Sequence, residues 1–128
     1  MIKKDFLTEF MEAMENDVKG IIAVAIVEME SGMTLVSKSF AKNFDPEVAS
    51  AYNVEVVKAK LAAMKALKLE KTDSIDDILI TLTSQIHLLK ITPSAKHLIY
   101  LAVDSKEANL GMVRSILRLN TADIDENL

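Results

Sequence analysis

The apolar pattern is most regular between Pro46 and Leu69, where it predicts one long helix. Asp45 stands in the N-cap position, and Pro46 occupies the first helical position, where a missing N–H costs nothing. Spacing residues at about 100° gives this helix two apolar faces instead of one. The first face carries Val48, Tyr52, Val56, Ala59, Ala63 and Ala66, and the second carries Val54, Val57, Leu61, Met64 and Leu67. A helix with two apolar faces needs a partner beyond its own core.

The chain before this helix is predicted to form one amphipathic helix and two strands. Residues 2–18 have an apolar stripe at helical spacing, with acidic residues on the other side. The members of that stripe are Ile2, Phe6, Phe10, Ala13 and Met14. Residues 21–27 are continuously apolar and rich in β-branched side chains, which indicates a strand covered on both faces. Residues 33–40 are interrupted by polar residues and predict an edge strand.

Three strands and a helix are predicted after the polar loop at residues 70–74. The strands are residues 78–83, which alternate in polarity, residues 86–92, and the almost wholly apolar residues 97–103. Asp104 and Glu107 have the spacing of a capping box, so we expect the last helix to begin there and to run to about Leu119. Its inward residues would be Ala108, Met112, Val113, Ile116 and Leu117. Residues 121–128 are expected to form a short, solvated acidic tail after a domain at residues 1–120.

The element order is therefore α-β-β-α-β-β-β-α, an α/β arrangement. Local hairpins pair the first strand with the second and join the last three strands as a meander. The most apolar strands are the first and the fifth, so both belong at the centre of the sheet. This predicts a five-stranded antiparallel sheet of order 2-1-5-4-3 with helices on both faces. The terminal helices would cover one face, and the long helix would cover the other.

Composition narrows the classes of function. The 128 residues fit a single domain, and half of them are hydrophobic. The chain has no cysteine, which excludes a disulfide framework and a thiolate nucleophile. The net charge of −4 argues against a nucleic-acid partner. No apolar run approaches the ~20 residues of a membrane span, and the acidic N-terminal region is unlike a signal peptide, so we expect a cytoplasmic protein without membrane insertion.

Neither a nucleotide-binding motif nor a catalytic constellation is present in the sequence. Three glycines stand in the whole chain, and their spacing fits no phosphate-binding loop. His87 and His97 fall on neighbouring predicted strands, separated by roughly 17 Å along them, too far for one metal ion. Asp76 and Asp77 are adjacent and would point to opposite faces of a strand. We therefore predict no enzyme activity, no cofactor and no catalytic or metal-binding residue.

The pattern of strands and glycines resembles the roadblock family, which has a profilin-like architecture. The segment Val18-Lys19-Gly20-Ile21-Ile22-Ala23-Val24, followed by Ser31-Gly32-Met33, is similar to the opening of that family. Residues 78–82, 86–91 and 96–104 resemble its three-strand meander, and the likeness covers residues 5–119. Many members have Asp-Gly where this chain has Ser31-Gly32. The predicted final helix is shared with bacterial and archaeal members, whereas the eukaryotic dynein light chains lack it.

This resemblance implies a non-enzymatic homodimer that binds a small Ras-like GTPase, either activating its hydrolysis or tethering it. It transfers an architecture and a class of partner to this chain, but no functional side chain. An adaptor or ligand-sensing domain of the profilin or longin kind, without a GTPase partner, is the alternative interpretation.

Two features predict where the homodimer forms. The alanine-rich face of the long helix would let two helices approach to about 8 Å, leaving the larger face to cover the sheet. The third strand lacks the lysine, proline or glycine that discourage edge pairing, so it would pair with the same strand of a second copy in one ten-stranded sheet. The predicted interface residues are Tyr52, Val56, Ala59, Ala63, Ala66, Ile78, Ile80, Thr81 and Thr83.

Overall fold

The structure, a computed structural model, describes residues 2–122 and 124–128, with side chains from residue 6 onwards. The expectation for the Ile2 side chain lies outside the described residues. The predicted element order is confirmed, and a short helix follows it. The elements are α1 (Ile2–Asp17), β1 (Ile21–Glu28), β2 (Thr34–Ser39), α2 (Pro46–Ala66), β3 (Asp77–Thr81), β4 (Gln85–Ile91), β5 (His97–Asp104), α3 (Leu110–Thr121) and α4 (Ile124–Asn127).

The five strands form one antiparallel sheet of order β2-β1-β5-β4-β3, as predicted. The central strands β1 and β5 are the most deeply buried, which agrees with their continuous apolar sequences. The helices α1, α3 and α4 pack on one face of the sheet and enclose a core that includes Met14, Ile26 and Leu101. The helix α2 covers the other face, over a second core that includes Val57 and Tyr100.

The helix α2 begins as predicted and ends three residues early. The carboxylate of Asp45 accepts hydrogen bonds from the backbone N–H groups of Glu47 at 2.9 Å and Val48 at 3.3 Å. The helix stops at Ala66, and the following turn places Lys68 at a positive φ of 62°. Leu67 was predicted to face the core, but it lies beyond the last turn and is exposed.

The inner face of α2 is the face with the larger side chains. Val54, Val57 and Met64 are buried against the sheet, as predicted. In this core they pack with three alanines, Ala23 and Ala25 of β1 and Ala102 of β5. Small residues on the sheet give the large aliphatic side chains of the helix room to pack.

The helix α3 begins later than the capping-box pattern predicts. Asp104 does accept hydrogen bonds from the N–H groups of Lys106 at 2.8 Å and Glu107 at 3.3 Å, but these close a turn that no helix continues. The N-cap is instead Asn109, whose side-chain oxygen accepts from the N–H of Met112 at 3.0 Å.

This shift in the start of α3 changes only part of its predicted inward face. Val113 and Leu117 are buried, as predicted, and Ala108 and Ile116 pack partly against the same core. Met112 was also expected inside and is 62% exposed.

The C-terminal residues are docked on the domain, so the expectation of a solvated tail is wrong for them. Ile124 has no exposed surface and lies in the core beneath α1 and α3. The carboxylate of Asp125 bonds to Nδ1 of His97 at 2.9 Å and accepts from the N–H of Ser94 at 3.0 Å. The helix α4 is therefore attached to the turn between β4 and β5.

Replacing Asp125 with Ala should lower the free energy of unfolding by about 2 kcal/mol, since hydrogen bonds to a charged group contribute roughly 1.5–3 kcal/mol. Burial alone would raise the pKa of Asp125, but the bonds from His97, Ser94 and Thr92 together lower it below its usual range. A lowered pKa stabilises the fold above the unfolded value of about 4, and this stabilisation is lost as the pH falls further. Urea unfolding followed by circular dichroism measures both effects.

The matched control for this prediction is Glu126→Ala on the same short helix. Glu126 is exposed, so its removal should change the free energy of unfolding by less than about 0.5 kcal/mol. Equal losses in the two variants would show that the Asp125 bonds do not hold α4 in place.

Candidate interaction surface

The outer face of α2 is an unpartnered apolar surface. Val48 is 55% exposed, Tyr52 74% and Val56 39%. The smaller residues Ala59, Ala63 and Ala66 continue this face to the end of the helix and are also exposed. From Tyr52 to Ala66 the surface extends over about 21 Å at 1.5 Å per residue. A contiguous apolar surface of this kind marks a site of association.

The strand β3 is an open edge of the sheet, and its residues Ile78 and Ile80 pack against the core beneath α2. The bond from the N–H of Leu82 to the carbonyl oxygen of Gln85, at 2.8 Å, sets the phase of the β3–β4 ladder. In an antiparallel ladder alternate residues bond to the neighbouring strand, so Ile78 and Ile80 bond to β4. Leu79 and Thr81 therefore direct their backbone groups outwards, where no further strand among the described residues pairs with β3.

The predicted interface residues of β3 differ in exposure. Ile78 and Ile80 are half-buried and pack on the core beneath α2, whereas Thr81 is exposed. Thr83 was placed at the end of the strand, but β3 ends at Thr81 and Thr83 lies in the turn before β4. The available edge is therefore shorter than the sequence predicts.

The opposite edge of the sheet, β2, has two features that discourage pairing with the β2 edge of a second copy. It carries Lys38, whose ammonium group bonds to Glu15 at 2.6 Å and lies 5.0 Å from the centre of the Phe40 ring. Its ladder with β1 also shifts register between Ile26 and Val27, leaving Leu35 as an extra residue. Lysines and bulges both discourage pairing between like edges. Of the two edges, β3 is the one suited to a second copy.

The two histidines occupy separate structural sites. The ring of His87 lies between Gln85 Oε1 at 2.8 Å and the hydroxyl oxygen of Tyr100 at 3.3 Å, and burial lowers its pKa. The His87 ring packs edge-on against the ring of Tyr100. His97 lies opposite Thr92, as predicted, and is held by Asp125. Among the side chains that the structure describes, in residues 6–122 and 124–128, no group of three metal-ligating residues comes together.

The adjacent aspartates bind cations and do not form a carboxylate pair. Asp77 receives two hydrogen bonds from Arg114, from Nε at 3.0 Å and Nη2 at 2.9 Å. Asp76 binds Lys90, whose hydrogen bond lowers the Asp76 pKa, and it lies 3.9 Å from Arg118. These contacts fasten α3 to the start of β3. Arg114 and Arg118 stand four residues apart on α3, about one helical turn, so both reach this pair of adjacent aspartates.

A cleft of about 700 Å³ opens at the end of the sheet, between the C-terminal end of α2 and the β4–β5 turn. Its apolar walls include Met64, Ile75 and Ile91, and Lys90 and Arg118 lie at its polar side. The sequence, which fills both sheet faces with apolar residues, gave no sign of it.

This arrangement of helices around an antiparallel sheet of order 2-1-5-4-3 is the roadblock fold, so the resemblance is confirmed at the level of the fold. Two solved structures of MglB share it with a TM-score of 0.79. One is from Myxococcus xanthus, at 13% identity over 97% of this chain and 87% of that chain. The other is the gliding protein MglB from Thermus thermophilus, at 14% identity over 99% and 90%. A Roadblock/LC7 domain from Streptomyces avermitilis has a TM-score of 0.73 at 8% identity, over 91% of each chain.

No protein-family profile matches the sequence, and no curated protein matches it either. None of the helices among the described residues is long and apolar enough to cross a membrane.

Proposed function

We propose that this protein is a non-enzymatic, cytoplasmic homodimer that binds a small Ras-like GTPase and regulates it, by activating hydrolysis or by tethering it. The observation that carries the proposal is the exposed apolar face of α2, together with the open edge of β3, on a roadblock fold. The fold supports the class of partner, and the exposed surface supports the homodimer.

The proposed dimer joins these two surfaces to their copies around a two-fold axis. Ala59, Ala63 and Ala66 lack bulky side chains, which lets a second α2 pack closely. Tyr52 and Val56 supply the larger apolar area at the other end of the same face. The outward backbone groups of Leu79 and Thr81 would pair with those of the second β3, giving one sheet of ten strands.

The regulation we propose is a shift in the conformations of the GTPase. A dimer that binds the GTP and GDP forms with different affinities shifts the population of its switch regions by that difference. Arg114 is engaged by Asp77, and Arg118 lies near Asp76, so neither is proposed to enter a partner's nucleotide site. Any stimulation of hydrolysis would come from ordering the partner's own residues.

Binding to separately prepared GTPases tests this function. We expect immobilised protein to retain one of the host's Ras-like GTPases with at least about a fivefold preference between its GDP state and its GTP-analogue state. Calorimetry of the protein alone with GTP or GDP should show no binding, because the sequence contains no phosphate-binding loop. Tight GTP binding by this chain, or retention of no GTPase, would overturn the proposal.

The cleft at the end of the sheet favours the alternative function, a ligand-sensing adaptor. Its volume of about 700 Å³ falls within the range of small-molecule sites, and apolar walls with a few charged groups are typical of them. Ligand-dependent stabilisation in a small-molecule thermal-shift screen, together with retention of no GTPase, would support this alternative.

A further inference from the structure

A groove of about 410 Å³ lies between α1 and the edge strand β2, at the other edge of the sheet from β3. Leu7 and Met11 of α1 form one apolar side, and Leu35 and Val36 of β2 form the other. Met33, which precedes β2, is 63% exposed. Neither α2 nor β3 borders this groove.

The helix side of the groove is acidic. The helix α1 contains five acidic residues and two basic residues, and the basic residues, Lys3 and Lys4, stand at its N-terminal end. Glu15 is neutralised by Lys38, at 2.6 Å, but Glu12 also borders the groove and forms no ion pair with any described residue. An occupant that brings a basic side chain beside Glu12 therefore meets complementary charge.

The strand side of the groove presents open backbone groups. The bond from the N–H of Phe40 to the carbonyl oxygen of Ile22, at 2.7 Å, sets the phase of the β1–β2 ladder. Lys38 and Val36 consequently bond to β1, whereas Ser37 and Ser39 direct their N–H and C=O groups away from it. These four groups are enough to hold one short extended segment.

We propose that the groove and this edge bind an extended segment of a partner protein, which joins the sheet as a strand beside β2. Residues two apart on a strand point to the same face. The segment therefore carries an apolar residue, for the floor of Leu7, Met11 and Val36, and a basic residue on the same face, for Glu12. Main-chain bonds provide affinity and the groove selects the side chains, as in other cases of strand addition.

A second copy of this chain does not fit the same place. The extra residue Leu35 limits the open edge to Ser37 and Ser39, which is short for a contact between two sheets. Two copies of β2 would also bring their acidic α1 helices together, where like charges repel. The inference goes beyond the proposed GTPase function, because the groove is remote from β3 and stays open in the proposed dimer.

A labelled peptide tests the proposal. The probe is fluorescein-labelled Thr-Val-Thr-Lys-Thr-Val-Thr-Lys-Thr, and the control peptide has glutamate in place of both lysines. Fluorescence anisotropy should show saturable binding of the probe and no binding of the control peptide. Glu12→Lys should weaken binding about fivefold, whereas Glu9→Lys, the same change on α1 outside the groove, should weaken it less than about twofold.

Ser37→Pro tests the strand addition separately, because it removes an N–H that points away from β1. We expect it to weaken binding about tenfold, and Ser37→Ala, which keeps the N–H, to leave binding unchanged. Far-UV circular dichroism checks that both variants stay folded. No binding at millimolar peptide, equal effects of the two α1 variants, or full binding by folded Ser37→Pro would each overturn the proposal. Dimer formation is measured independently, so these results do not depend on the proposed function.

Discussion

Ala63→Glu should convert the protein from a dimer into a folded monomer. Ala63 lies on the exposed apolar face of α2, so the free protomer tolerates a charged side chain there. In the proposed dimer the same position meets the second α2, where an unpaired carboxylate would be buried at a cost of several kcal/mol. Light scattering coupled to size exclusion should give the dimer mass for the wild type at micromolar concentration and the monomer mass for the variant.

Ala62→Glu is the matched control for this experiment. It makes the same change one residue away, on the polar side of α2 among Glu55, Lys58 and Lys65, and should remain a dimer. Met64→Glu places the charge in the core and should unfold the protein, since Met64 is only 7% exposed. A monomeric wild type, or an Ala63→Glu variant that stays dimeric, would contradict the proposed interface.

Thr81→Pro should weaken the dimer by at least about tenfold while leaving the protomer folded. The N–H of Thr81 points away from β4, so proline removes no bond within the protomer. In the proposed ten-stranded sheet the same N–H bonds to the second β3, and its loss leaves a carbonyl group of the partner strand unpaired. Sedimentation equilibrium measures the change in the dissociation constant.

Thr81→Ala keeps the N–H and provides the comparison. The dissociation constant of its dimer should be close to that of the wild type. A difference between the two variants therefore reports on the backbone hydrogen bond alone. If Thr81→Pro dimerises as tightly as Thr81→Ala, the β3 edges do not pair, and the α2 contact must act without them.

The long helix and the sheet order followed from the sequence because several signals agree there. Asp45 is a residue type that favours the N-cap and Pro46 one that favours the first helical position, and both occupy those positions in α2. The strands β1 and β5 are continuously apolar, and a strand of that kind fits only the centre of this sheet. The same periodicity identified both apolar faces of α2, and residue size then assigned the larger one to the sheet.

The predictions from the sequence were wrong where the same local pattern is compatible with two different structures. Asp104 and Glu107 have capping-box spacing, yet the Asp104 carboxylate closes a turn, and Asn109 starts the helix five residues later. Ile124 is a single apolar residue in an acidic stretch, and no periodicity indicates that it is buried. The neighbouring Asp125 is bound by the distant His97 and Ser94, and such contacts are invisible to local patterns.

The candidate surfaces were predictable in part. The exposed face of α2 and the β3 edge could be read from residue types, but the direction of each N–H depends on the register of the strands. The groove beside β2 was missed because it joins residues of α1 to residues some 25 positions later, and because Leu35 becomes an extra residue only when β2 pairs with β1.

The position of β5 has a consequence for synthesis on the ribosome. Ala25 of β1 pairs with Tyr100 of β5, about 75 residues later in the chain. The helix α2 therefore leaves the ribosome before β5, the strand that completes the sheet beneath it. At about 5–20 residues per second the delay from residue 66 to residue 104 is roughly 2 to 8 s. During that interval the inner face of α2 can pack only on β1 and β2, so part of it stays exposed together with the outer face. A chain that stalls there is more prone to aggregate, and a better substrate for chaperones, than the finished protein.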